Sequence, residues 1–291
     1  MADSVCGIII TFHPSEEMIG HISKVIAQTS GLVVVDNGSS AEAVSLLRRA
    51  SQELGFHLIE NSENLGIAEA LNQGVRWAKS GGYQWTILFD QDSRITDSFV
   101  RLMMGSWESH PKKDILASLH PRYVDTETGY EEIHENAEKD GLLFSMTSGS
   151  LLPISIYDKI GLFASEYFID YVDFEYCLRA RAAGYMIGES RQAILHHAPG
   201  DPSVQSLFGI KSFRTSNHSA LRRYYLIRNR IVTARRYFKS FPLWTINDLL
   251  YTFKEAFVIV LAENNKCAKL RAMLNGAMDA FAGRMGKLGA S

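Results

Sequence analysis

Trp85–Ser93 reads WTILFDQDS, a hydrophobic stretch suited to a buried strand that runs directly into Asp90-Gln91-Asp92. Three further strand candidates lie upstream, two of them unbroken apolar runs. Val5–Phe12 (VCGIIITF) is a continuous β-branched run, Leu32–Val35 (LVVV) ends in Asp36-Asn37-Gly38-Ser39-Ser40, and His57–Glu60 is a short strand. Unbroken apolar runs of this length suit strands covered on both faces. Helical patterns separate them: Ile19, Ile22, Val25 and Ile26 share one face, and Ala41–Leu54 and Ile67–Ala78 follow. The βαβαβαβ alternation predicts an α/β fold, a parallel sheet with helices on both faces. In such sheets ligands bind beyond the carboxyl ends of the strands, and Asp36, Asp90 and Asp92 all fall there.

Residues 94–165 are less regular, with an acidic stretch at Asp125–Asp140 and a Ser/Gly stretch at Ser145–Ser150. Asp170–Gly184 reads as a helix, with acids early, Arg179 and Arg181 late and Gly184 as the stop. After Pro202 the composition changes. Leu243, Ile246, Leu249, Leu250, Phe253, Phe257, Val260 and Leu261 make an apolar stripe at helical spacing, and Leu270–Leu288 repeats it. Two regions are expected: 1–201, carrying the sheet, and 202–291, a basic and amphipathic helical extension packed on it.

The 291 residues are 46% hydrophobic and carry 30 basic against 32 acidic side chains, a net charge of −2. That composition excludes a disordered chain and a disulfide-stapled miniprotein. The average conceals an uneven distribution. Residues 1–201 hold 15 basic and 28 acidic groups, whereas 202–247 hold nine basic and no acidic ones. Three scattered cysteines without a CxxC fit a reducing compartment. The N-terminus has no basic segment ahead of a long apolar run, so no signal peptide is expected. Ala256–Ala262 is far shorter than the roughly 20 residues of a spanning helix.

Asp90 and Asp92, one residue apart at a strand end, could address one hard divalent cation, the alternative being an acidic surface turn. Asp36 could hydrogen-bond a nucleoside or cap the next helix. No G-x-G-x-x-G or G-x-x-x-x-G-K-[ST] occurs, which argues against a classical dinucleotide or P-loop site. In Asn61–Asn72, Gly66 and Ala68 would let a ligand or another backbone approach closely. Asp170, Asp173 and Glu175 include a candidate general base, or a helix-capping cluster. His196 and His197 could complete a metal shell or be simply solvated. In Leu221–Tyr237 (LRRYYLIRNRIVTARRY), guanidinium forks at Arg228, Arg230 and their neighbours suit phosphate, whether in a substrate diphosphate, an anionic membrane or RNA; a solvated face is the alternative.

In this order, IIITFHP, VVVDNGSS, NLGIAEALNQGV, ILFDQDS, FIDYVDFEYCLRARAAGY, LHHAPG and YYLIRNRI resemble the family 2 glycosyltransferases of GT-A fold, most closely their rhamnosyltransferase branch, from about Val5 to Arg236. The resemblance implies inverting transfer from a nucleotide-diphosphate sugar and assigns the body of the chain as a GT-A nucleotide-sugar-binding and catalytic domain, whose Rossmann-like sheet is mixed, mainly parallel and flanked by helices. It implies that backbone around Thr11 and the Asp36 carboxylate hold the nucleoside. Asp90 would lie near ribose and diphosphate, and Asn64, Gly66 and Ala68 beside the donor. Asp92 would be the principal ligand of Mg²⁺ or Mn²⁺, with His197, or failing that His196, as a further ligand. Asp173 matches the catalytic base. Val172 precedes it where many members carry a second acid, which brings in Asp170 and Glu175 on the acceptor side. Arg228 or Arg230 would hold phosphate. The Q-x-x-R-W signature of processive synthases is absent, implying addition of one or a few sugars.

For the rhamnosyltransferase branch, the implied donor is dTDP-β-L-rhamnose. The implied acceptor is a lipid-diphosphate-linked saccharide at the inner face of the cell membrane, as in O-antigen or capsule assembly, with an anionic membrane surface and no nucleic acid as partner. Three alternatives compete: a transferase using a UDP-sugar, a haloacid-dehalogenase-type phosphatase, and a non-enzymatic membrane-surface scaffold. The phosphatase motif normally ends the first strand of its fold, whereas here it ends about the fourth. A scaffold would explain residues 202–291 but not the ordered acids.

Overall fold

The computed structural model describes residues 4–125, 129, 134, 140–197, 203–207, 211–215 and 217–289; at 197, 203–207 and 211–215 only the backbone is described. The chain divides into two compact units, Met1–Ser165 with Tyr176–Ala198, and Glu166–Glu175 with Pro199–Ser291.

In the first unit the strands are β1 (Val5–Thr11), β2 (Gly31–Asp36), β3 (His57–Glu60), β4 (Trp85–Asp90), β5 (Arg94–Ile95), β6 (Leu116–Asp125), β7 (Leu151–Pro153) and β8 (Met186–His197). They form one sheet in the order β3-β2-β1-β4-β7-β6-β8-β5. The pairs β1/β2, β1/β4, β2/β3 and β6/β8 are parallel, while β7 and β5 pair antiparallel. The expected mixed, mainly parallel sheet is thus present.

The reason lies in the side chains. Every residue of β1 is buried, as are Leu32–Val35 and Ile87–Phe89, because helices cover both faces. These helices are α1 (Glu17–Ile26), α2 (Ala41–Leu54), α3 (Ile67–Ser80), α4 (Phe99–Ser109) and α5 (Ile154–Ile160). Helix α1 buries Met18, Ile22 and Val25, three positions of one stripe. Ser40 caps α2 by accepting from the Ala43 N–H, and Gly55 ends that helix in a left-handed conformation. Trp85 meets Trp107 edge-on at 4.9 Å, joining β4 to α4.

Helix α6 (Val172–Ala182) begins in the segment grouped with the second unit. It starts later than the expected Asp170. Phe168, Asp170 and Tyr171 have φ of 63°, 60° and 64°, so the left-handed backbone places Asp170 outside the helix and removes it as a conventional cap.

The second unit contains the hairpin β9 (Ser203–Leu207) and β10 (Lys211–Thr215), then α7 (Ala220–Tyr237), α8 (Pro242–Ala262) and α9 (Lys266–Ala282). Its apolar cluster is small, centred on Ile227, Ile259 and Met273. Helices α7 and α9 approach closely at Gly276, where a Cβ would lie 2.4 Å from the Tyr224 carbonyl oxygen. Charge fills much of the remaining interior. Arg223 pairs with Glu255 at 2.7 Å and Glu263 at 2.8 Å, and Lys269 with Glu263 at 2.8 Å. Arg230 pairs with Glu255 at 2.5 Å and Asp248 at 3.3 Å.

This pairing corrects the expectation of a cationic surface along Leu221–Tyr237. Arg222, Arg223, Arg230 and Arg236 are matched by acids from outside the basic stretch, namely Asp170, Glu255, Glu263, Asp248, Glu166 and Glu175. Breaking one buried pair would strand its partner at a cost of about 3–5 kcal/mol.

Candidate active site

Three strand ends gather the acidic and polar groups of the first unit. In the parallel registers Thr11 lies opposite Asp36, and Ile10 opposite Asp90. The carboxyl ends of β2, β1 and β4 therefore lie side by side. Asp36 is fully buried; its Oδ1 accepts from Thr11 Oγ1 at 3.2 Å and from Ser39 Oγ, and its Oδ2 accepts from the Ser39 N–H at 3.0 Å. The Thr11 carbonyl accepts from the Asn37 N–H at 2.8 Å. A fully buried carboxylate with three local donors is fixed in place and ties the ends of β1 and β2 together.

The loop after β2 is locked to the turn before α3. Asn37 Nδ2 donates to Asn64 Oδ1 at 3.1 Å, and Asn37 Oδ1 accepts from the Leu65 N–H at 3.0 Å. Asn64 Oδ1 also accepts from the Gly66 N–H at 2.9 Å. Gly38 permits this approach: its φ is 85° and a Cβ would lie 2.4 Å from the Glu63 carbonyl carbon. Gly66 and Ala68 are buried at the start of α3. The structure thus brings Thr11, Asp36, Asn64 and Gly66 into one hydrogen-bonded frame. Asn37 is the hub that sequence reasoning missed; its position in an Asn-Gly turn was the available signal.

Asp90 and Asp92 are both exposed. The Asp90 N–H donates to Ser148 Oγ at 3.3 Å, and the Gln91 side chain accepts from the Phe12 N–H at 2.9 Å. Ser148 comes from the Ser/Gly stretch, whose role in anchoring this turn was not foreseen. Asp92 lines a cavity of about 230 Å³ with Gln91, His21, Arg94, Glu17 and His196. His196 lies opposite Arg94 in the β5/β8 pairing and shares the Asp92 cavity with His21. The backbone of His197 pairs with Asp125, but its side chain lies outside the described residues. Among the described residues no three His, Cys, Asp or Glu side chains cluster as a self-sufficient metal site. A carboxylate and an imidazole on one cavity nevertheless fit Mg²⁺ or Mn²⁺, which take few protein ligands and complete their shells with water and substrate phosphate.

Within the second unit Asp173 sits in the first turn of α6, half-buried, its Oδ1 accepting from the Phe174 N–H at 2.8 Å. Its neighbours are otherwise engaged. Asp170 pairs with Arg222 at 3.0 Å; burial raises its pKa, and the Arg222 charge opposes that rise. Glu175 is buried, accepts from the Tyr237 hydroxyl at 2.7 Å and pairs with Arg236. The two acids considered for the acceptor side are therefore committed to ion pairs within the fold.

Arg228 and Arg230, expected to hold phosphate, are buried. Arg228 donates to Asn229 Oδ1 and to the carbonyls of Gly286, Glu166 and Tyr167, and its guanidinium lies 5.5 and 4.9 Å from the Tyr224 and Tyr225 ring centroids. Arg230 donates to the Tyr171 hydroxyl at 2.6 Å and is paired with Glu255 and Asp248. Guanidinium forks with internal acceptors are structural, so phosphate binding by these two residues is withdrawn.

Helix α8 carries the foreseen apolar stripe outward. Leu243 is 79% exposed and Phe253 73%, with Ile246, Leu250, Phe257, Val260 and Leu261 also exposed. No helix among the described residues is long and apolar enough to cross a membrane.

Comparison with known proteins adds three findings. Residues 7–168 match the model for glycosyl transferase family 2, a span that stops short of Asp173. The chain is 27% identical over 303 residues to the dTDP-rhamnosyl transferase RfbF of Shigella flexneri, covering 98% of both, and 24% identical to the hexosyltransferase Agl10 of Haloferax volcanii, covering 96% of this chain and 92% of the other. Among solved structures, the mannosyltransferase PcManGT of Pyrobaculum calidifontis with GDP-Man and Mn²⁺ superposes with a TM-score of 0.57 at 14% identity, covering 96% and 74% of the two chains. The S. aureus TarS fragment 1–349 with UDP-GlcNAc superposes at 0.55 with 12% identity, covering 97% and 92%.

Proposed function

Because the chain belongs to the family 2 glycosyl transferases, we propose that it moves L-rhamnose from dTDP-β-L-rhamnose, with inversion, to a saccharide carried on a lipid diphosphate. The observation that carries the donor is the near end-to-end similarity to a dTDP-rhamnosyl transferase, with no large part of either chain left over. A transferase acting on another nucleotide sugar is the second reading, favoured by structural neighbours that hold GDP-Man and UDP-GlcNAc. The role is one in surface polysaccharide assembly, of the O-antigen or capsule type, at the cytoplasmic face of the cell membrane.

In this reading the Asp36 carboxylate and the Thr11 backbone hold the nucleoside, and Asn64, Gly66 and Ala68 form the wall beside the donor. Asp90 lies by the ribose and diphosphate. Asp92 and His196 would hold Mg²⁺ or Mn²⁺, which supplies positive charge to the leaving diphosphate. His197 stays a candidate on sequence grounds. Asp173 accepts the proton of the acceptor hydroxyl as that oxygen bonds to the anomeric carbon. The bond from that carbon to the diphosphate oxygen breaks on the opposite face, and dTDP leaves with the electron pair. One displacement gives one inversion and an α-L-rhamnoside.

Contact with the membrane is supported by the exposed α8 stripe rather than by the arginines of α7, whose charges are largely matched internally. Apolar insertion of this kind is weakly sensitive to salt.

The test is a thermal-shift series with nucleotide sugars, with and without Mn²⁺ or Mg²⁺, followed by a transfer assay. Ligand binding to the folded state raises the melting temperature by mass action. Metal-dependent stabilisation by dTDP-rhamnose, and loss of transfer in folded Asp92→Ala and Asp173→Asn, is the expected result. Stabilisation by UDP- or GDP-sugars alone would transfer the assignment to the second reading.

A further inference from the structure

Tyr167–Tyr171, the stretch that enters α6, contains no glycine, yet Phe168, Asp170 and Tyr171 all adopt positive φ. The Ile169 N–H closes a tight turn onto the Tyr167 carbonyl at 2.8 Å. Each such residue is strained and persists only where its surroundings impose it. Here the imposing groups are identifiable. Asn229, fully buried on α7, donates from Nδ2 to the carbonyls of Tyr167 at 2.9 Å, Ile169 at 2.8 Å and Asp170 at 3.0 Å. Arg228 Nε in turn donates to Asn229 Oδ1 at 3.0 Å, fixing which end of the amide faces the turn, and Arg228 Nη2 reaches the Tyr167 carbonyl at 3.2 Å. The Tyr171 carbonyl then accepts the Glu175 N–H at 2.9 Å, the bond that opens the helix bearing Asp173.

We infer that Asn229, oriented by Arg228, is a positioning residue: it holds the left-handed turn that sets where the first turn of α6 presents the Asp173 carboxylate. This gives the Arg-Asn pair of YYLIRNRI a role that phosphate binding does not explain. The inference rests on Asp173 acting as the base.

Asn229→Asp is the informative substitution, since it keeps side-chain size and an acceptor for Arg228 while removing both N–H donors. Turnover of dTDP-rhamnose is measured beside the rise in melting temperature produced by dTDP. The expected result is a kcat at least thirtyfold lower, with the donor KM within twofold and the dTDP-induced rise retained. Adding Asp170→Gly, which accepts the left-handed backbone without strain, regains at least tenfold of the lost kcat. A kcat within threefold of the parent, a dTDP response lost in step with activity, or no regain in the double variant would overturn the inference. If Asn229→Asp does not fold, Arg228→Lys, which loses the fork onto the same amide and carbonyls, must give the same split between kcat and KM. Asp173→Asn in the same assay separates the two readings, because full activity there removes the base itself whatever Asn229→Asp does.

Discussion

Thr11 Oγ1 donates to Asp36 Oδ1 at 3.2 Å, tying together the last residues of two parallel strands that are also partners in register. The bond fixes one oxygen of a buried carboxylate that Ser39 grips through its N–H and hydroxyl. Asp36→Asn would turn an amide N–H₂ toward those donors. Its donor KM should rise at least tenfold with kcat changed less than threefold, read by steady-state kinetics and by calorimetric titration with dTDP. Thr11→Val removes one donor and should raise KM only a few-fold.

Gly38→Ala should weaken the same frame from the other side. The added methyl meets the Glu63–Asn64 backbone in a conformation that L-residues avoid, so the Asn37–Asn64 bridge must open. A melting temperature lowered by several degrees and a raised donor KM are expected together. Loss of stability with an unchanged KM would separate this loop from donor binding.

Tyr237→Phe leaves buried Glu175 without its hydroxyl donor at 2.7 Å. A buried acceptor deprived of one partner costs about 1–3 kcal/mol, more when charged. Denaturant unfolding should show that loss, and the Glu175→Gln/Tyr237→Phe pair should lose less than the sum of the single variants.

His120, on β6, is fully buried and neutral. Its Nε2 lies 2.8 Å from Ser118 Oγ and its Nδ1 2.9 Å from the Met146 carbonyl, so Nδ1 carries the proton. Burial pushes its pKa down to about 4, against a backbone hydrogen bond that works the other way. The unfolded chain therefore binds this proton first as the pH falls. Stability is complete above about pH 6.5 and declines toward pH 4, by roughly 3 kcal/mol at the limit. His120→Gln should be less stable at pH 7 and show a flatter melting temperature between pH 6.5 and 4.

The sheet was legible because its signals are local. VCGIIITF, LVVV and WTILF each declare a buried strand within eight residues, and the strand order places the acids that trail the last two at one edge, on either side of the first. The strand-end placement of Asp36, Asp90 and Asp92 was therefore legible in sequence. The basic stretch was misread for the opposite reason. Arg223, Arg228 and Arg230 find their partners in Glu255, Glu263, Asp248 and Gly286, between 18 and 58 residues away, and a one-dimensional charge tally cannot register pairing at that range. The turn at Phe168–Tyr171 was equally hidden, since residues other than glycine at positive φ carry no compositional sign.

Glu166–Glu175 folds with the C-terminal helices rather than with the sheet, and this sets where the chain can be recombined. A chimera that exchanges only residues after 201 with a relative would set a foreign α7 against a native Asp170, Glu175 and Tyr167, all tuned to Arg222, Tyr237 and Asn229. The decapeptide and the helical extension are one heritable cassette, separated in the sequence by a length of sheet, and viable hybrids must inherit both from the same parent.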